Sequence, residues 1–93
     1  MSPHVLLKQS FGFLIEELDG ECLLYRIGAH KAIHLNDSAS LIWKLCDGTR
    51  SVADIIAFLQ QEYPDAQNTV EEDVRDAVGQ LVREGALLEV AAP

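Results

Sequence analysis

Positive charge is scarce in this chain: seven lysines and arginines stand against fifteen aspartates and glutamates, a formal net charge of −8. The deficit is uneven. Residues 1–50 hold six acids and five bases, whereas residues 51–93 hold nine acids and only Arg75 and Arg83. A surface of that sign repels phosphate backbones and anionic membranes, so neither nucleic acid nor membrane is an expected partner. Also missing is any apolar run near the roughly 18–20 residues that cross a bilayer. Met1-Ser2-Pro3-His4-Val5-Leu6-Leu7-Lys8 has no basic segment leading a long apolar stretch. The expectation is a cytoplasmic protein without a secretory signal. Cys22 and Cys46 form no C-x-x-C pair, and in a reducing compartment they are expected as free thiols packed as small hydrophobes. No internal repeat or glycine-rich phosphate loop is present, since Asp47-Gly48-Thr49-Arg50 reads as a single turn.

What the chain does have is enough apolar surface for one core: 48% of its 93 residues are hydrophobic, which fits a single domain over residues 1–93. Its first third reads as strands. Residues 11–18 are aromatic and branched and end at Asp19-Gly20, a two-residue hairpin signal. Residues 21–27 return and stop at Gly28. Lys31-Ala32-Ile33-His34-Leu35 is a short third strand, alternation placing Ile33 and Leu35 on one face and Ala32 and His34 on the other.

From Asn36 onward the period is helical. Asn36 or Asp37 caps a helix with Leu41, Ile42, Leu45 and Cys46 on one face, closed by Asp47-Gly48. Ser51-Val52-Ala53-Asp54 resembles a capping box, and the helix it opens carries Val52, Ile55, Ile56, Leu59 and Tyr63 in one stripe, ending before Pro64. Thr69-Val70-Glu71-Glu72 is a full capping box and is expected to start a third helix with Val70, Val74, Ala77, Val78, Leu81 and Val82 facing inward. Glu84-Gly85 ends it, residues 86–90 allow a terminal strand, and residues 91–93 read as a frayed end. Trp43, between Ile42 and Leu45, is expected as an anchor in or at the edge of the core. The fold class is therefore α+β and winged helix-turn-helix-like, with three short antiparallel strands followed by three helices.

That fold raises the question of DNA, and the third helix answers it. From Thr69 to Glu84 it sets Glu71, Glu72, Asp73, Asp76 and Glu84 against Arg75 and Arg83, with Gln80 its single amide. A recognition helix needs basic and amide side chains for phosphates and base edges. A salt-dependent gel shift is the discriminator for this alternative. Metal binding would draw on His30, His34, Cys22 and Cys46, but on a turn and a strand their spacing gives no convergent face. No metal or cofactor is expected. Catalysis lacks a constellation, because Ser38, Ser40, Asp47 and Asp54 sit where helix ends explain them. The expectation is a binding protein, not an enzyme.

Peptide binding suits the organisation, because the edge of a small sheet offers unpaired backbone groups to an incoming strand. Four or five added hydrogen bonds contribute about 0.5–1.5 kcal/mol each. Ordering six peptide residues costs about 1–2 kcal/mol apiece, so the two nearly cancel. Apolar pockets between the third strand and third helix must then supply the affinity, at about 1.5–3 kcal/mol per buried aliphatic side chain. A folded partner protein is a third alternative, which pull-down of such a partner without any precursor peptide would favour.

Several blocks carry a family resemblance. Leu24-Tyr25, Leu35-Asn36-Asp37-Ser38-Ala39, Ile42-Trp43-Lys44-Leu45-Cys46-Asp47-Gly48 and Ser51-Val52-Ala53-Asp54-Ile55 come first. They continue with Tyr63-Pro64, Val70-Glu71-Glu72-Asp73-Val74 and Leu81-Val82-Arg83-Glu84-Gly85-Ala86-Leu87. Over residues 23–88 this order resembles the PqqD family. The resemblance implies a PqqD-like peptide-recognition domain that holds the leader of a ribosomally made precursor peptide. It implies presentation of that leader to a modifying enzyme, of radical-SAM type in pyrroloquinoline quinone biosynthesis. Related modules serve lasso-peptide and other maturation pathways, which the motif does not separate. It further implies that the leader adds as a strand along Lys31, Ala32, Ile33, His34 and Leu35 and packs near Val70, Asp73, Val74, Ala77 and Val78. The residues leave the precursor, its enzyme and the oligomeric state open.

Overall fold

The computed structural model describes residues 5–26, 28 and 30–90. Ile27, the expected last residue of the second strand, and the expected frayed end at residues 91–93 lie outside the described residues. Strand β1 (Leu6–Gln9) leads into the hairpin β2 (Phe13–Leu18) and β3 (Glu21–Arg26), and β4 (Ala32–Leu35) follows. Helix α1 (Asp37–Leu45), strand β5 (Asp47–Ser51), helix α2 (Val52–Glu62), a 3₁₀ turn (Pro64–Ala66), helix α3 (Gln67–Arg83) and strand β6 (Leu87–Val90) complete the order. The class is α+β, as expected, but with two antiparallel sheets among the described residues, ordered β5-β1-β6 and β2-β3-β4.

The hairpin forms where the sequence placed it. Asp19 and Gly20 both take positive φ, 52° and 83°, the pairing that a two-residue turn needs to match the twist of its strands. Register Leu18↔Glu21 and Cys22↔Leu35 then puts Cys22, Leu24, Ile33 and Leu35 on one buried face. The helices cover that face. Ile42 and Trp43 of α1, Val52, Ile55, Ile56 and Leu59 of α2, and Val70, Val74, Val78 and Leu81 of α3 join it in one core. Trp43 also donates from Nε1 to the Ala86 carbonyl at 3.3 Å, which ties α1 to the start of β6. An ion pair between Lys44 and Glu17 links the hairpin to α1; that hydrogen bond holds the Glu17 carboxyl below its usual value.

Three expectations need correction. Asp47-Gly48-Thr49-Arg50 is not a free turn: it belongs to β5, which pairs with β1 through a bulge where Leu7 faces Arg50 and Lys8 faces Asp47. Gly48, at φ 93°, supplies the conformation that a bulge requires, beside the Lys8 side chain. Thr69 does not cap α3. The helix starts at Gln67 out of the 3₁₀ turn, and Thr69 Oγ1 donates back to the Ala66 carbonyl at 3.1 Å. Pro64 has already set the turn that a cap would otherwise initiate. Tyr63 leaves the α2 stripe, because the helix stops before Pro64 and the residue stays 52% exposed. The other caps stand: Asn36 Oδ1 accepts from Ala39 N, and Ser51 and Asp54 form a reciprocal box.

Both cysteines are free and buried. Cys46 donates to the Ile42 carbonyl, and burial, reinforced by the charge of Asp47, pushes its thiol up to about 12. Below pH 9 both folded and unfolded chains keep this proton. Above it the unfolded chain loses the proton first, so stability falls by about 1.4 kcal/mol per pH unit until the folded thiol titrates. Urea unfolding at pH 8 and pH 10.5 should therefore show wild type losing about 2 kcal/mol more than Cys46→Ala over that interval. Equal losses would remove Cys46 as the cause.

Candidate functional site

Strand β4 lies at the end of its sheet, so among the described residues the side away from β3 has no strand partner. Its side chains do not fill that side. Ile33 and Leu35 point into the core, while Ala32 and His34 are exposed on the outer face, where His34 Nε2 meets Glu21 Oε1 at 2.7 Å. What β4 offers outward is backbone: alternate residues of an edge strand turn N–H and C=O groups away from the sheet.

Helix α3 lines two hollows, one at Lys31 and Ile33 and one at Asp37 just past β4, and together they mark a groove along this edge. One, of about 310 Å³, lies where α1 begins. Leu41 and Ile42 of α1, Leu59 at the end of α2 and Val70 and Val74 of α3 give it an apolar lining, with Tyr63, Asp37 and Asp73 also around it. The other, of about 330 Å³, lies at the far end of α3 and is bounded by Lys31, Ile33, Arg26, Phe13, Arg83 and Glu84. Lys31 thus faces the C-terminal end of α3, and Asp37, just past β4, faces its N-terminal half. Strand and helix are antiparallel across the groove. Helical spacing puts Asp73 and the half-buried Ala77 on one flank of α3, and Ala77 lines neither hollow.

Several residues expected at the site meet here. Lys31, Ile33, Val70, Asp73 and Val74 line the hollows, whereas Leu35 and Val78 are buried in the core beneath. Ala32 and His34 contribute backbone, their side chains lying on the other face. Leu41, Leu59, Tyr63, Asp37, Arg26 and Arg83 line the groove without having been singled out. For Tyr63 the signal was the following proline, which ends the helix and frees the ring. Arg26 and Arg83 carry no local signal, because only the tertiary fold brings them together.

The groove has hydrogen-bonding capacity along one wall and apolar depth at its base, so it can hold an extended peptide. The outer surface of α3 shows Glu71, Glu72 and Asp76, with Arg75 tied to Glu71 at 3.3 Å, a face that repels phosphate. Among the described residues, no three His, Cys, Asp or Glu side chains are grouped to hold a metal ion. No helix among them is long and apolar enough to cross a membrane.

The family model described as coenzyme PQQ synthesis protein D (PqqD) matches residues 21–87. The chain belongs to the PqqD family. The matched span takes in β3, β4 and all three helices, so it contains both walls of the groove. A protein named PqqA binding protein from Pseudomonas aeruginosa is 41% identical over 70 residues, 74% of this chain and 72% of its own length. One of the same name from Azotobacter vinelandii is 36% identical over 85 residues, 90% of this chain and 87% of its own. Among solved structures, TbiB1 in complex with the TbiA(beta) leader peptide superposes with a TM-score of 0.72 at 26% identity. That match covers 91% of this PqqD-family chain and 99% of TbiB1.

Proposed function

We propose that this PqqD-family chain is a peptide chaperone that binds the leader of a ribosomally synthesised precursor peptide and presents it to a modifying enzyme. The observation that carries this reading is the uncovered edge of β4, which has a hollow at Lys31 and Ile33 and, just past its other end at Asp37, the apolar hollow lined by α1 and α3. The leader adds as an antiparallel strand along Lys31, Ala32, Ile33, His34 and Leu35, and its apolar side chains enter the hollow lined by Leu41, Val70 and Val74. Strand pairing sets register and direction, while the hollow supplies the affinity. The names of the curated relatives and the leader bound by TbiB1 support the choice of ligand. The chain acts without catalysis of its own and works in the cytoplasm, where precursor peptides are made. Its partner enzyme is of radical-SAM type if the pathway makes pyrroloquinoline quinone, and a lasso-peptide or other maturation enzyme otherwise.

Nuclear magnetic resonance with the precursor encoded beside the gene tests the groove. Backbone amide shifts are expected at residues 31–35 and around residues 70–78, with saturation at stoichiometric peptide. Saturable shifts confined to the outer sheet face or to β6 would place the peptide elsewhere and overturn the reading.

A further inference from the structure

Acids outnumber bases about two to one in this chain, so a lysine or arginine would be expected to find a carboxylate. Lys44, Arg50 and Arg75 do, in pairs with Glu17, Asp47 and Glu71. Lys8 lies over the Phe11 ring, 5.4 Å from its centroid. The remaining bases, Arg26, Lys31 and Arg83, come from three separate parts of the chain and make no ion pair among the described residues. All three line the hollow at the C-terminal end of α3. Arg26 is held there in part by the Phe13 ring, 4.4 Å from its guanidinium carbon, and by a 3.4 Å hydrogen bond to the Gly85 carbonyl. Glu84 is the one carboxylate in this hollow, which leaves it net positive; its Oε2 is buried with no hydrogen-bond partner. The other hollow has the opposite sign: Asp37 and Asp73 stand on its rim, and no lysine or arginine lines it.

We propose that the groove reads charge order in its peptide, selecting a segment in which a basic and an apolar residue come first and an acidic residue follows. This rests on the leader-binding reading above and adds to it the chemical class of leader that is accepted. The direction follows from the strand. β4 runs from the cationic end at Lys31 to the anionic end at Asp37, and the described strand pairs in this fold are antiparallel. An added antiparallel strand therefore begins beside Asp37 and Asp73 and ends beside Arg26, Lys31 and Arg83. Asp73 and Arg83 are ten positions apart on one helix, about 15 Å at 1.5 Å per residue. An extended chain covers that in about four to five residues. The basic residue is thus expected about four to five positions before the acidic one, with the apolar side chain close to the basic one, because Val70 and Val74 bracket Asp73 in the same hollow. Desolvation in the groove strengthens such pairs relative to a flat surface.

Display selection of random twelve-residue peptides against the full-length protein tests the order directly. Enriched peptides are expected to carry Lys or Arg with an apolar residue close to it, then Asp or Glu at the stated spacing. Exchanging the two charged residues in a selected peptide should weaken its binding at least tenfold. The Lys31→Glu, Arg83→Glu double variant, whose sites are both exposed, should abolish that preference while keeping its circular dichroism spectrum. Selected peptides that shift amides of residues 31–35 and 70–78 but show no charge order, or the reverse order, would overturn this inference and leave leader binding intact. Failure to enrich any peptide, or enrichment of peptides that bind outside the groove, would overturn both.

Discussion

Replacing Trp43 with alanine should leave a largely unfolded chain under mild denaturing conditions. The side chain is only 3% exposed and packs in the core from α1, and its Nε1 reaches the Ala86 carbonyl across the fold. Deleting a buried indole costs about 3–5 kcal/mol. A domain of this size has roughly 5–15 kcal/mol in total, so the loss is a large share of it. The same helix turn anchors β1, since Gln9 Nε2 donates to the Trp43 carbonyl and Gln9 N to the Cys46 carbonyl. Loosening α1 there therefore releases the β5-β1-β6 sheet as well. Urea denaturation followed by circular dichroism is the measurement. Trp43→Phe keeps most of the packing, and Ser10 N still donates to the Ala86 carbonyl, so that variant should lose much less. A Trp43→Ala midpoint within experimental error of wild type would show that Trp43 is not an anchor of the core.

The features legible in the sequence are those that local chemistry decides. Asp19-Gly20 demands a tight hairpin wherever it stands, and Ser51 with Asp54 caps a helix with its own atoms. The Val70-Val74-Val78-Leu81 stripe faces the core because helical spacing permits no other common face. Misreadings arise where distant segments decide. Asp47-Gly48-Thr49-Arg50 has turn composition, and only pairing with β1 makes it a strand. β1 itself, Leu6-Leu7-Lys8-Gln9, sets two apolar residues before two polar ones and so shows no alternation. Thr69-Val70-Glu71-Glu72 matches a capping box, yet the proline turn upstream had already begun the helix. The site divides the same way. Lys31, Ile33, Val70, Asp73 and Val74 could be named from strand and helix patterns combined with the family resemblance. Sheet order, which makes β4 an edge, and the convergence of Arg26, Lys31 and Arg83 are properties of the assembled fold.

That distinction decides which substitution reads binding and which reads folding. Val74 lines the groove but has no exposed surface, so an aspartate there places a charge in the core and reports on stability before it reports on peptide. Leu41 is the better probe. It is half-buried, sits on the first turns of α1 and forms part of the wall of the same hollow. Leu41→Asp should preserve the fold at a modest cost, because the new carboxylate keeps access to water. It should nevertheless weaken leader binding by about 10- to 100-fold, the equivalent of roughly 1.5–3 kcal/mol for one lost aliphatic contact. Asp37 and Asp73, already on that rim, add repulsion towards any acidic group entering there, so a leader carrying acid at this end should suffer most. Leu88→Asp, on the exposed part of β6 and outside the groove, is the matched control and should leave the dissociation constant unchanged. Calorimetric titration of both variants with the same leader separates the two cases: equal affinities would mean that the hollow between α1 and α3 carries none of the binding energy, and the peptide would then have to be held by some other surface.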